Sequence, residues 1–72
     1  MTLETLPTTT EARIAAVSGP RSFRVRLMEM GLLPGTEIRV LRHNRTGDLV
    51  EFEVRGCAMS LRFSEARHVS VQ

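Results

Sequence analysis

Alternating apolar and polar residues in several short stretches, one brief helical stripe and turn-forming glycine and proline pairs predict an all-β fold for this 72-residue chain. About five strands, with one short helix between the first and the second, suit a small, strongly bent barrel of the SH3-like kind. The length makes one domain, residues 1–72. Such a chain buries only about 60% of its unfolded surface, so stability is expected to be modest unless a partner or a copy contributes. Hydrophobic content of 42% and charged content of 25% fit a globular protein rather than a disordered one.

The chain is organised around Arg26-Leu27-Met28-Glu29-Met30-Gly31-Leu32-Leu33-Pro34-Gly35-Thr36, which ends a helix and launches a strand. Gly31 suits the left-handed residue that closes a helix, and Pro34-Gly35 suits the centre of a type II turn. Before this stretch, Leu3 and Leu6 share one side of a short turn at the domain edge, and Pro7 with the threonines after it reads as an extended connection. Glu11–Val17 reads as a strand with Ala12 and Ile14 inward. Ser18-Gly19-Pro20 breaks it. From Arg21 to Met30, Phe23, Leu27 and Met30 form one helical stripe.

The second half alternates more regularly. Ile38 and Val40, then Val50, Phe52 and Val54, then Met59, Leu61 and Phe63 fall on inward phases. A type II′ turn at Gly56-Cys57 would pair Val54 with Met59, Phe52 with Leu61 and Val50 with Phe63. The hairpin before it, turning through His43–Gly47, would pair Val40 with Val50 and Ile38 with Phe52, and would align Arg39, Glu51 and Arg62 on the outer face. Ser64-Glu65-Ala66 suits a single tight turn, and Arg67–Val71 a last strand with Val69 and Val71 inward.

Little of the chain points to catalysis. There is no phosphate-binding loop, and Cys57 is the single cysteine, beside a turn glycine and outside any metal-ligand spacing. No catalytic residue is assigned and no cofactor is required. His43 and His68 are the only histidines. With Glu65 nearby in sequence, they leave open a surface-bound divalent ion, Fe2+ or Zn2+. The pI near 10.0 raises a nucleic-acid reading. Yet the net charge is only +2, all ten basic residues are arginine, and eight carboxylates are spread among them. Trp and Tyr are absent and the three phenylalanines lie on core phases, which disfavours stacking on bases or on proline-rich peptides. The surplus is aliphatic. Leu41 and Leu49 are expected as a cross-strand pair on the outer face, while Met28 and Leu33 flank the central stretch, so these four are the candidate partner-binding residues.

Leu3–Pro7 (Leu-x-x-Leu-Pro), Ala12-Arg13-Ile14, Arg26-Leu27 with Gly31-Leu32 and Pro34-Gly35-Thr36, Arg55-Gly56, and Leu61-Arg62 with Glu65-Ala66 together resemble the FeoA family over essentially the whole chain. The order of these motifs is more specific than any one of them. Cys57 is an unusual choice beside the turn glycine. The resemblance implies an SH3-like barrel and a small cytoplasmic accessory of bacterial ferrous iron transport, acting with the cytosolic domain of the permease FeoB at the inner membrane. It carries over no catalytic residues. A homo-oligomer is also expected to be open to such a barrel, whose edge strands lack lysine.

Overall fold

The computed structural model describes residues 1–72. It contains β1 (Glu11–Val17), α1 (Arg21–Glu29), β2 (Glu37–Asn44), β3 (Leu49–Val54), β4 (Cys57–Arg62), α2 (Phe63–Ala66) and β5 (Val69–Val71). The five strands form one antiparallel sheet in the order β4-β3-β2-β1-β5, and the sheet stays open rather than closing. Register shifts between Ile14 and Ala16 in β1 and between Val40 and Arg42 in β2 bend it around a single core. That core holds 14 buried residues, every one hydrophobic. Leu3 and Leu6 belong to it fully, at 0% and 2% exposure, instead of packing at its edge.

The helix stop forms as its residues dictate. Gly31 takes φ +93°, Gly31 N–H donates to Met28 C=O (3.0 Å) and Leu32 N–H donates to Leu27 C=O (3.0 Å). This is the Schellman arrangement, and the two residues it links, Leu27 and Leu32, are both buried in the core. Gly35 then takes φ +88° and Thr36 N–H closes the turn onto Leu33 C=O at 3.0 Å. The same turn is spliced onto β1, because Gly35 N–H donates to Ile14 C=O (2.7 Å) and Ile14 N–H to Thr36 C=O (2.9 Å).

Two registers differ from the sequence expectation. The β3–β4 loop is Arg55-Gly56, with φ +55° and +78°, so the turn has the type I′ signature and not type II′ at Gly56-Cys57. Val54 therefore pairs with Cys57, Phe52 with Met59 and Val50 with Leu61. Cys57 lies in β4, outside the turn, and Phe63 leaves the sheet to begin α2. Between β2 and β3, Val40 pairs with Phe52, and Leu41 is the extra residue of the bulge. Arg39 meets Glu53 and Arg42 meets Glu51, in place of the expected row of Arg39, Glu51 and Arg62. The first shift is two residues, which returns every side chain to its original face. Alternation alone does not distinguish such registers.

Arg55 holds a backbone conformation that costs an ordinary L-residue about 1–2 kcal/mol, whereas asparagine tolerates it. Arg55→Asn is expected to raise the urea midpoint, by up to about 1 kcal/mol in stability. Gly31→Ala is expected to lower it by about 1 kcal/mol or more, since φ +93° strains any residue with a Cβ.

Candidate functional site

A chain this short leaves few large apolar side chains outside its core, and apart from the terminal Met1 they gather in three places. On the outer face of α1, Met28 (55% exposed) follows Val25 (40%), with Arg21 and Arg24 exposed on the same side. Leu33 borders a polar groove of about 760 Å3 with Pro34, Arg13, Arg39 and Arg55. Leu41 and Leu49 share a shallower depression of about 380 Å3 with Ala58, Met59 and Ser60 of β4. The two leucines are not a cross-strand pair as expected: Leu49 stands opposite Asn44, and the bulge sets Leu41 out of register. They line one depression nonetheless. Met28, Leu33, Leu41 and Leu49 thus do not form one patch. Val25, which sequence reasoning passed over, was legible as the residue one turn before Met28.

The arginines are largely neutralised in pairs. Arg13–Glu37 (3.2 Å), Arg26–Glu65 (2.7 Å), Arg39–Glu53 (2.9 Å), Arg42–Glu51 (2.6 Å), Arg62–Asp48 (3.6 Å) and Arg67–Glu4 (3.4 Å) take up six of the ten. The other four are spread over α1 (Arg21, Arg24), the β2–β3 loop (Arg45) and the β3–β4 turn (Arg55), and Arg45 lies over the Phe63 ring at 5.0 Å. This is a dispersed positive surplus rather than a track for a phosphate backbone.

Glu65 is the most committed of the carboxylates. Its Oε2 accepts from Arg26 Nη2 at 2.7 Å, and its Oε1 accepts the Arg62 N–H at 2.9 Å, at the start of α2. The Arg26 hydrogen bond, followed by that of the Arg62 N–H, holds this carboxyl below its ordinary value of 4.5. Both oxygens are therefore occupied, which weakens the expected metal role beside His68. His68 instead places Nδ1 3.2 Å from Ser18 Oγ and meets Phe23 edge-on at 5.8 Å. His43 lies 6.1 Å from the Phe63 ring, with its Nε2 buried and without a hydrogen-bond partner. No three His, Cys, Asp or Glu side chains gather closely enough to hold a metal ion. Cys57 is exposed at the start of β4.

An open, strongly bent five-stranded sheet with a helix in its first crossover defines a small SH3-like module. A family model described as the FeoA domain matches residues 1–72, and the chain belongs to the FeoA family. Among solved structures, it is similar to the zinc complex of FeoA from Stenotrophomonas maltophilia, with 32% identity and a TM-score of 0.85 over 100% of this chain and 89% of that one. That protein is described as an SH3 domain protein for which a role as a ferrous iron transport activating factor is proposed. FeoA from Chlorobium tepidum aligns at 32% identity and a TM-score of 0.89, over 99% of this chain and 68% of that one. A manganese-dependent transcriptional repressor, at 15% identity over 100% of this chain and 35% of its own, shares the fold with a TM-score of 0.93. No curated protein matches the sequence.

Glu65→Gln should cost roughly 0.5–1 kcal/mol of stability at neutral pH, because the ion pair to the half-exposed Arg26 is screened and the cap is only weakened. The folded state holds the Glu65 proton more weakly than the unfolded chain does. The stability from this contact is therefore complete above about pH 4.5 and is lost as pH falls through the lower folded value. Thermal unfolding followed across that acid range should be less pH-dependent in Glu65→Gln than in the wild type.

Proposed function

We propose that this protein is a non-enzymatic accessory of bacterial ferrous iron uptake. It works in the cytoplasm, at the inner face of the membrane, by docking on the cytosolic domain of the FeoB permease. Membership of the FeoA family carries the reading, and the activating role proposed for the Stenotrophomonas maltophilia relative supports it. The physical support is the Leu41–Leu49 depression, in which two aliphatic side chains lie beside the Arg42–Glu51 ion pair. No helix of the chain is long and apolar enough to cross a membrane. Leu41→Asp or Leu49→Asp is expected to weaken co-purification with FeoB at least about tenfold while circular dichroism stays unchanged. Equal recovery of FeoB by both variants would remove this depression from the interface.

A surface-bound Fe2+ or Zn2+ is the lesser reading, favoured by the zinc complex of that relative. It predicts that the zinc or ferrous isotherm of the wild type is lost in a His43→Ala/His68→Ala double variant. Identical isotherms reject it.

A further inference from the structure

A five-stranded open sheet has two edges, and only one of them is covered. Along β5, Leu3 N–H donates to Val69 C=O (2.9 Å), Val71 N–H donates to Met1 C=O (2.8 Å), and Thr2 bridges to Ser70. Along β4 no backbone segment pairs in this way, although Arg26 and Met30 border a depression beside Ser60, Leu61 and Arg62. In a two-residue hairpin the pair next to the loop exchanges both backbone bonds, and such pairs alternate along the ladder. Val54–Cys57, Phe52–Met59 and Val50–Leu61 are therefore the bonded pairs, and the N–H and C=O groups of Ala58, Ser60 and Arg62 point to the outer edge. The Arg62 N–H is indeed taken from that side, by Glu65 Oε1. No loop or side chain takes up those of Ala58 and Ser60.

Edges of this kind are ordinarily blunted by lysine, proline, an inward charge or a bulge. Here the chain has no lysine, and β4 has no proline. Its ladder with β3 runs from Val54–Cys57 to Leu49–Arg62 without a register shift. Its one charge is Arg62, at its end.

We propose that β4 is a homodimerisation edge, with two copies pairing β4 to β4 antiparallel about a two-fold axis at Met59, an assembly that shares Ala58, Met59 and Ser60 with the Leu41–Leu49 depression and so competes with docking of FeoB there. This register is set by the free groups. Centred on Met59, Ala58 of each copy stands opposite Ser60 of the other, and all their outward N–H and C=O groups find partners. Centred on Ser60, Ala58 would face Arg62, whose N–H is already held by Glu65. The Met59 register also sets the half-buried Met59 against its own copy and the exposed Cys57 against Leu61. Arg62 then faces Gly56 of the second copy, so no like charges stand opposite one another. A single strand pair buries well under about 1,000 Å2, so the dimer is weak and concentration-dependent.

Sedimentation velocity on the full chain tests this. The wild type is expected to pass from monomer at low micromolar concentration towards dimer near millimolar. Ser60→Pro removes an outward donor without touching the β3 ladder and should remain monomeric. Should that variant unfold, Ala58→Lys, at an exposed position, makes the same test. In a Cys57→Ser background, Met59→Cys should form an intermolecular disulfide far faster than Glu29→Cys on α1. Facing residues of a non-bonded pair have Cα atoms about 4.5 Å apart, within disulfide reach. A wild type monomeric throughout, a folded Ser60→Pro or Ala58→Lys that dimerises as well as wild type, or cross-linking no faster than at position 29 would each overturn the proposal.

Discussion

The backbone hydrogen bond from Leu32 to Leu27, made across the left-handed Gly31, is the constraint on which the remainder of the structure depends. Leu27 is the only fully buried residue of α1, so the helix has no other deep anchor. Leu32 is buried because the chain reverses at Gly31, and that reversal delivers Pro34-Gly35 to the backbone of Ile14. Without it, the start of β2 would not be registered against β1. A nine-residue helix with no side-chain N-cap would not persist alone. The helix is held by its own termination.

The sequence foretold the elements of the fold better than their pairing. The boundaries of β1 and α1, the helix stop and the type II turn all follow from local chemistry, in which a glycine or proline has few alternatives. Strand pairing is different. Val50, Phe52 and Val54 point inward in either register, so the choice fell to the turn, where Arg55 adopts a conformation that glycine or asparagine would mark and arginine does not. Leu41 was misplaced for a related reason. A bulge adds one residue to one strand, and nothing in the alternation of β2 announces it.

The candidate surfaces were legible as residues but not as places. Met28, Leu33, Leu41 and Leu49 are each recognisable as apolar groups off the core phase, yet the fold distributes them among a helix face, a polar groove and a shallow depression. Grouping depends on long-range pairing, the part that local patterns leave open. The ring environments of His43 and His68, and the double engagement of Glu65, likewise arise from residues far apart in sequence. An accessory role suits such a surface, since small apolar spots among satisfied charges favour contacts that form and release.

The arginine–carboxylate pairs have one further consequence. A guanidinium does not give up its proton in a protein, so every one of these pairs opens only from the acid side. Towards alkali, the ten arginines and eight carboxylates keep their charges. In acid the carboxylates neutralise and the arginines lose their counter-charges. The ion pairs of this module thus act as a one-way electrostatic valve, unmoved by base and progressively cationic in acid.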